Sequence, residues 1–395
     1  MPKHIWLLVI GIAINVTGSS FIWPLNTIYI HNELGQTLAF AGVVLMLNQG
    51  AGIFGNLLGG VLYDRLGGYR TITYGNIISI AASVALIFYH SILSYTILMI
   101  VLGLGSGVAR PAMFAMASSV WPEGGRRAFN ALYVAQNLGV AIGASLGGFV
   151  AKFSFEYIFI ANALFFFVFF LLAVLTYKPI DSKYDPHAYG TVLDQNLKIV
   201  KKANFRALIM LSIGFFICWV AYVQWQTTIA SYTQDIGISI DRYSLLWTIN
   251  GLLIVLGQPI IKVITNWIPS TKVQIQIGHF IFLLSFIYLL FANSFLSFAI
   301  AMAILTIGEM LVWPGVPSLA DDLAPKGRAG FYQGLINSVG TAGRMVGPVL
   351  GGFIVDIYSI EILFYGLLIL FIIPFVATHF YDRKLNSEQL ERVEN

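Results

Sequence analysis

Apolar runs of about 20 residues recur along the whole chain and alternate with short polar segments. An α-helix rises about 1.5 Å per residue, so each run can cross a hydrocarbon core roughly 30 Å thick. The first run is too long for a signal peptide, whose apolar region covers only about 7–15 residues. The pattern predicts twelve membrane-spanning helices, at about 5–30, 39–63, 71–90, 95–120, 128–151, 157–178, 206–233, 243–265, 273–293, 297–320, 330–355 and 360–380.

The composition supports the same conclusion. Of the 395 residues, 58% are hydrophobic and only 10% are charged, whereas soluble domains carry about 25% charged residues. A soluble globular protein is therefore excluded, and an all-α membrane protein is expected. The single cysteine, Cys218, lies inside a predicted span, so we expect no disulfide framework.

The longest polar interval divides the predicted spans into two sets of six. It covers residues 179–205 and has the composition of a solvated linker. We therefore expect an N-terminal six-helix bundle over residues 1–178, a cytoplasmic linker over 179–205, a C-terminal six-helix bundle over 206–380 and a cytoplasmic tail over 381–395.

Lysine and arginine are distributed unevenly between the two predicted faces. Of 22 such residues, 18 fall on one side, Lys152 and Arg242 fall on the other, and Arg110 and Arg344 lie within spans. Cytoplasmic loops carry the excess of basic residues. Both termini and the linker are therefore expected in the cytoplasm, with the chain in a plasma membrane of bacterial type. The net charge of +4 reflects these loops, and no nucleic-acid partner is expected.

The two halves of the chain are related in sequence. GLGSGVARPAMFAMASSVWPEG (103–124) aligns with TIGEMLVWPGVPSLADDLAPKG (306–327), and GVAIGASLGGF (139–149) aligns with GRMVGPVLGGF (343–353). The offset stays near 203 residues, which indicates a duplicated six-span unit. Transporters built from such repeats place the substrate site between the repeats, near the bilayer midplane.

The segment GGVLYDRLGGYR (59–70) resembles the loop between spans two and three of the major facilitator superfamily, G-x-L-x-D-R-x-G followed by basic residues. The matching positions are Gly60, Leu62, Asp64, Arg65 and Gly67, with Arg70 as the later basic residue. The resemblance implies two pseudo-symmetric six-helix bundles. It also implies a conformational-switch loop, in which Asp64, at a span end, can cap a helix or pair across to a neighbouring helix. A generic charged loop is the alternative.

Glycine series in predicted spans five and eleven resemble the antiporter motif of the drug–proton branch of that superfamily. They comprise Gly139, Gly143, Gly147, Gly148, Gly343, Gly347, Pro348, Gly351 and Gly352, and Ala144 replaces the proline of the first series. Small residues at every fourth position form a groove in which another helix packs closely. That groove alone sets no direction of transport, whereas the resemblance implies export.

One arginine of the family pattern is missing. The span-four pattern R-x-x-x-G would place it four residues before Gly103, where this chain has Met99. Arg110 lies later in the same predicted span. It either takes over the proton-coupling role or extends its side chain towards the cytoplasmic interface, and the sequence leaves both open.

The predicted tenth span contains an acidic residue, Glu309, within ILTIGEMLVWP (304–314). Glu309 is roughly 18 Å from either helix end, where a charge costs about 2.5–3.5 kcal/mol. Arg344 is similarly central in span eleven. Either the two form an architectural ion pair, or Glu309 faces a cavity, where burial favours its protonated form and its charge attracts a cation. A pair that breaks on protonation is a third alternative. We favour a coupling role.

In the family, spans one, four, seven and ten line the central cavity, and Glu309 is on span ten. Other polar or aromatic residues expected on these spans as substrate contacts are Asn15, Trp23, Asn26, Ser106, Tyr222, Gln224, Trp225, Gln226 and Trp313. Aromatic faces suit flat apolar or cationic ligands. For each residue taken singly, packing between helices is the alternative.

The chain contains no Walker-type phosphate loop, no metal-ligand spacing among its six histidines and no nucleophile with an adjacent base. We therefore expect no enzyme activity, no metal and no cofactor. The sequence favours a monomeric, proton-coupled exporter of hydrophobic or cationic small molecules, embedded in the lipid bilayer. The alternatives are a proton-coupled uptake symporter for a small, anionic metabolite and a lipid or glycolipid flippase.

Overall fold

A computed structural model of the chain describes residues 1–22, 25–26, 29–36, 38–151, 153–183, 202–383 and 385. Every regular element in these ranges is a helix. By their contacts the helices form two units, Met1–Asn196 with Pro325–Ser338 and Leu197–Ala324 with Val339–Asn395. Most of the predicted linker and most of the predicted tail lie outside the described residues.

The first unit contains six long helices. They are α1 (Lys3–Ile22), α2 (Leu38–Leu66), α3 (Gly68–Phe88), α4 (Ile92–Val120), α5 (Arg126–Ala151) and α6 (Phe155–Lys183). Helix α4 packs against both α2 and α3, and α1 packs against α5 and α6. Buried polar groups add to this packing, since Asn162 of α6 donates to the Gly18 carbonyl of α1 at 2.7 Å and accepts from Ser83 of α3 at 2.6 Å.

The second unit contains the remaining helices. They are α7 (Lys202–Tyr222), α8 (Thr228–Asp235), α9 (Ile240–Leu256), α10 (Gln258–Trp267), α11 (Thr271–Leu289), α12 (Phe295–Leu323), α13 (Ala329–Ile357), α14 (Ile360–Leu370) and α15 (Ile372–Phe380). Helix α12 packs against α7, α9 and α11. The first ten residues of α13 belong to the first unit by contact, and the rest belong to the second.

Serine residues cap several of these helices. Ser91, Ser294 and Ser359 each accept the backbone N–H of the third residue that follows, at 3.2, 3.4 and 3.4 Å. A helix leaves its first N–H groups without intrahelical acceptors, and a serine before the first turn supplies one. These caps fix where α4, α12 and α14 begin.

The count of twelve spans stays a prediction. Among the described residues, ten helices are long and apolar enough to cross a membrane, and α9 with α10, bent by 53° at a short break, makes eleven. Helix α5 occupies the place of the predicted fifth span and has 26 residues. Its first turns carry Arg126, Arg127, Asn130 and Asn137, which lower its mean hydropathy. The predicted all-α membrane class is confirmed.

Glycines at every fourth position let two helix pairs approach closely. A Cβ atom on Gly139 or Gly143 of α5 would lie 2.8 or 2.3 Å from backbone oxygens of α1. In the second unit, a Cβ atom on Gly343 would lie 2.6 Å from Cβ of Trp219, and one on Gly347 would lie 2.3 Å from a methyl group of Val223. Such contacts are far closer than any side chain allows, so α5 packs on α1, and α13 on α7, through glycine.

The other members of the two glycine series lie on the same helices. Gly147 approaches Phe21 of α1, and Gly351 approaches the side chain of Gln224. Pro348 lies inside α13, one residue after Gly347. Gly352 has open space around the position of a Cβ atom, and Gly148 lies within α5.

Candidate functional site

Glu309 lies in the middle of α12 and is only 2% exposed. Its Oε2 atom accepts a hydrogen bond of 2.8 Å from the Asn250 side chain of α9. The Tyr222 hydroxyl of α7 lies close to the same carboxylate. Helix α9 therefore supplies a donor, Asn250, to this carboxylate inside the second unit.

Asn250 is a residue that the sequence interpretation did not select. It is 5% exposed, and its amide nitrogen donates at 2.8 Å to the Thr306 hydroxyl as well as to Glu309. Thr306 in turn donates to the Met302 carbonyl at 2.7 Å. Asn250 lies on the predicted eighth span, which the resemblance did not place at the cavity. The one sequence feature that could have indicated a role for Asn250 is its polar side chain inside an apolar span.

An aromatic cluster lies beside the carboxylate. Trp313, one turn after Glu309 on α12, stacks on Trp219 with ring centroids 4.4 Å apart and an interplanar angle of 3°. Tyr222 meets Trp313 edge-on at 5.4 Å and Trp219 at 5.5 Å, and Phe215 meets Trp313 at 5.5 Å. Trp219 was not among the predicted site residues, although other polar and aromatic residues of the same span were.

Arg344 of α13 contacts this cluster. Its guanidinium carbon lies 4.3 Å from the Trp219 ring centroid, and its Nη2 atom donates to the Thr341 hydroxyl at 3.0 Å. Trp219 thus contacts both Arg344 and Trp313, and Tyr222 packs edge-on against both indole rings. A direct ion pair between Glu309 and Arg344 stays a prediction.

Three other predicted substrate contacts follow Tyr222 along the chain. Gln224 is fully buried and donates to the carbonyls of Val220 and Gly347, both at 2.8 Å, so it joins α7 to α13. Trp225 is also fully buried, and its carbonyl accepts from a tyrosine hydroxyl. Gln226 is half-buried in the 3₁₀ turn that ends α7. The contacts of Gln224 and Trp225 are those of packing residues.

The predicted site residues of the first unit lie on other helices. Asn15 of α1 and Ser106 of α4 are half-buried, and Asn26 is 2% exposed and accepts from the Tyr95 hydroxyl. Arg110 of α4 is half-buried, and in the part of the chain that the structure describes its side chain has no hydrogen-bond or ion-pair partner. Trp23 lies outside the described residues.

Most of the predicted switch loop is helical, since Gly60, Asp64 and Arg65 lie at the end of α2 and Arg70 lies in α3, with Gly67 between the two helices. Asp64, 7% exposed, accepts the backbone N–H groups of Gly330 and Phe331 at 2.8 and 2.9 Å. These amides belong to the first turn of α13, where a carboxylate also interacts favourably with the helix dipole. A Cβ atom on Gly60 would lie 2.3 Å from the Gly330 carbonyl, so glycine is required for this approach.

Gly67, the residue between α2 and α3, has φ 85°, a conformation that favours glycine. Arg65 and Arg70 are exposed.

The described residues contain no group of three or more His, Cys, Asp or Glu side chains placed to hold a metal ion.

Comparisons with known proteins identify the family. The chain is 54% identical over 388 residues to the uncharacterised MFS-type transporter YttB of Bacillus subtilis (strain 168), covering 98% of this chain and 97% of that one. It is 24% identical over 366 residues to the quinolone resistance protein NorA of Staphylococcus aureus (strain MSSA476), covering 91% of each.

Solved structures share the fold. The human organic anion transporter MFSD10 (TETRAN) matches with a TM-score of 0.72 at 13% identity, over 96% of this chain and 100% of that one. A POT family transporter in complex with a thioalcohol-conjugated peptide matches with a TM-score of 0.74 at 17% identity, over 98% and 97%. The family model for the Major Facilitator Superfamily matches residues 8–348 and 227–394. The chain therefore belongs to the major facilitator superfamily and is a multi-pass membrane transport protein that acts on small molecules, not an enzyme.

Proposed function

We propose that this protein exports hydrophobic, cationic small molecules in exchange for protons. The observation that carries the proposal is the buried Glu309 carboxylate, which accepts a hydrogen bond from Asn250 and lies beside the stacked rings of Trp219 and Trp313. NorA, named as a quinolone resistance protein, supports drug efflux as the direction.

The proton is assigned to Glu309 because of its surroundings. A carboxylate inside a membrane span is costly when charged, and protonation removes that cost. The Asn250 amide donates to the carboxylate and stabilises its charged form, which opposes that cost. We propose that protons from outside bind Glu309 and release the substrate, and that reopening to the inside deprotonates Glu309 and restores affinity.

The substrate class follows from the aromatic cluster. Indole and phenol rings attract cations through their faces, which contributes about 0.5–2 kcal/mol per contact. A carboxylate within the same cluster adds a charge of the opposite sign. Lipophilic cations combine both complementary features, and neutral polar metabolites have neither.

Topology and location complete the proposal. We place the chain in the plasma membrane of a bacterial cell as a monomer, with both termini in the cytoplasm, because the basic residues concentrate on one predicted face. We retain two six-helix bundles, over residues 1–178 and 206–380, joined by a cytoplasmic linker.

The test compares Glu309→Gln with Glu361→Gln, an exposed glutamate in the first turn of α14. Each variant is reconstituted in liposomes, a pH gradient is imposed, and uptake or release of a fluorescent lipophilic cation is followed together with internal pH. We expect Glu309→Gln to lose movement driven by the gradient and Glu361→Gln to retain it. A folded Glu309→Gln protein that still couples transport to protons would refute the proposal.

A second candidate, uptake of an organic anion, has one observation in its favour. Arg110 is half-buried without a hydrogen-bond or ion-pair partner among the described residues, and such a guanidinium suits a carboxylate or phosphate group. Competition separates the candidates. Lipophilic cations displace the bound dye in the first case, organic anions in the second, and lipids if the protein is a flippase.

A further inference from the structure

Trp219 is half-buried and contacts the three other rings of the aromatic cluster beside Glu309. Trp313 covers one of its faces in a nearly parallel stack, with centroids 4.4 Å apart. Tyr222 and Phe215 approach edge-on at 5.5 and 6.1 Å. An indole held in this way has a fixed orientation before any ligand arrives. Binding of a ligand to the face opposite Trp313 therefore costs little conformational entropy.

The face of Trp219 opposite Trp313 is covered by the side chain of Arg344. The guanidinium carbon lies 4.3 Å from the ring centroid of Trp219, and since Trp313 already stacks on one face, the guanidinium takes the other. Arginine is a planar, delocalised and weakly hydrated cation that stacks on aromatic faces. It therefore presents the same chemistry as the flat cationic group of a lipophilic drug.

The backbone of α13 makes this contact specific. A Cβ atom on Gly340 would lie 2.9 Å from Nε1 of Trp219, and one on Gly343 would lie 2.6 Å from its Cβ atom. Two glycines thus let α13 lie directly against the indole, and the next residue, Arg344, reaches over the ring. The Nε1 atom of Trp219 is buried without a hydrogen-bond partner among the described residues, so the contacts that hold this tryptophan there are packing and ring contacts.

We infer that the face of Trp219 covered by Arg344 is the subsite for the planar cationic group of the substrate, and that Arg344 is a built-in competitor which the substrate displaces. The inference rests on the proposed function for the substrate class, and not on its proton coupling. Displacement would release a guanidinium beside the site as the substrate binds, and Arg344 would return to the ring when the substrate leaves.

We expect the affinity for a planar cation to increase when the Arg344 guanidinium is removed. Arg344→Gln leaves the indole face open and removes a positive charge that repels the ligand. We expect ethidium, a planar aromatic cation, to bind about 5- to 30-fold more tightly, which corresponds to the loss of one competing cation–π contact. Trp219→Leu should weaken ethidium binding by a similar factor.

The experiment measures ethidium binding by fluorescence anisotropy to the purified full-length protein in detergent, without a pH gradient. Arg242→Gln, an exposed arginine at the start of α9, controls for net charge, and Trp267→Leu, 83% exposed, controls for the loss of an indole. Neither control should change the affinity. Thermal unfolding of each variant establishes that it is folded.

Tighter ethidium binding by Arg344→Gln together with weaker binding by Trp219→Leu supports the subsite on Trp219. Unchanged or weaker binding by a folded Arg344→Gln protein overturns it. If Arg344→Gln does not fold, Arg344→Lys carries the test, because an ammonium group stacks less well than a guanidinium. Lysine must then also tighten ethidium binding, and an unchanged affinity overturns the inference.

The result is separable from the test of proton coupling. Tighter ethidium binding by Arg344→Gln combined with normal coupling in Glu309→Gln supports the subsite and refutes the proposed proton site. Tighter binding of the anion 8-anilinonaphthalene-1-sulfonate to wild type than to Arg344→Gln, with no ethidium binding to either protein, overturns the cationic subsite and favours an anion-binding role for Arg344.

Discussion

The contact between Asp64 and the first turn of α13 can be perturbed with little change in shape. Replacing Asp64 with asparagine keeps one acceptor oxygen and turns the other into an NH₂ donor. The amides of Gly330 and Phe331, now 2.8 and 2.9 Å from the two carboxylate oxygens, would then share one neutral acceptor. The substitution therefore removes charge and one hydrogen bond together.

The magnitude follows from the geometry. A hydrogen bond to a charged group contributes about 1.5–3 kcal/mol, a neutral one about 1 kcal/mol, and a carboxylate at a helix N-terminus gains about 0.3–1 kcal/mol from the dipole. Losing one charged bond, weakening the other and losing the dipole term costs about 2–6 kcal/mol. At tenfold per 1.4 kcal/mol, the opening of this contact becomes about 30-fold to about 20,000-fold more frequent.

Amide hydrogen exchange measures this opening directly, because the two donors are themselves exchangeable. We expect a peptide that covers the first turn of α13 to exchange faster in Asp64→Asn by about that factor. Asp356→Asn, near the other end of the same helix, makes the same chemical change away from the contact and should leave this peptide unchanged. Equal protection of the first turn in Asp64→Asn and wild type would refute the assigned role of the carboxylate.

Two further predictions concern stability, each with a matched control, and both are checked by thermal unfolding in detergent. Gly330→Ala should destabilise the protein by about 1–3 kcal/mol, since the added Cβ atom would lie 2.4 Å from the Gly60 carbonyl, whereas Gly352→Ala, with open space around its Cβ position, should stabilise it by about 0.5–1 kcal/mol. A lower midpoint for both would mean that packing around Gly330 is not the cause. Asn250→Ala should cost about 1–3 kcal/mol because two buried acceptors lose their donor, and Asn293→Ala, at an exposed position, should cost nothing measurable. Equal midpoints for the two asparagine variants would contradict this.

The fold class could be predicted from the sequence because it depends on local features. Apolar runs define spans residue by residue, and glycines at every fourth position mark close helix contacts without knowledge of the partner. The motif around Asp64 identified the residue, yet its partners are two backbone N–H groups. No side-chain pattern marks a backbone donor, so only the structure could name them.

The candidate site was predictable only in part, because it depends on contacts between helices. Glu309 was conspicuous as an acid within an apolar run. Trp219 is one of eight tryptophans, and nothing in its local sequence distinguishes it, since its importance comes from Trp313 on α12 and Arg344 on α13. Gln224 was chosen for its polarity, but its amide is used to join α7 to α13.

The duplicated sequence explains why Asn250 contacts Glu309. The repeat offset pairs Asn250 with Asn48, and in the first unit the Asn48 amide donates at 2.6 Å to the Met99 carbonyl. Gly103 makes this approach possible, because a Cβ atom there would lie 2.3 Å from the Asn48 carbonyl.

In the second repeat the same three positions carry different chemistry. Thr306 replaces Gly103, and its hydroxyl takes the Met302 carbonyl that corresponds to Met99. The Asn250 amide therefore donates to the Thr306 hydroxyl and to the acid one turn further along, where the first repeat has a serine. A helix–helix hydrogen bond that is purely structural in one repeat has thus become a carboxylate support in the other, through a glycine-to-threonine and a serine-to-glutamate difference. The coupling chemistry that we propose therefore arises where the two repeats diverge, on a packing arrangement that they share.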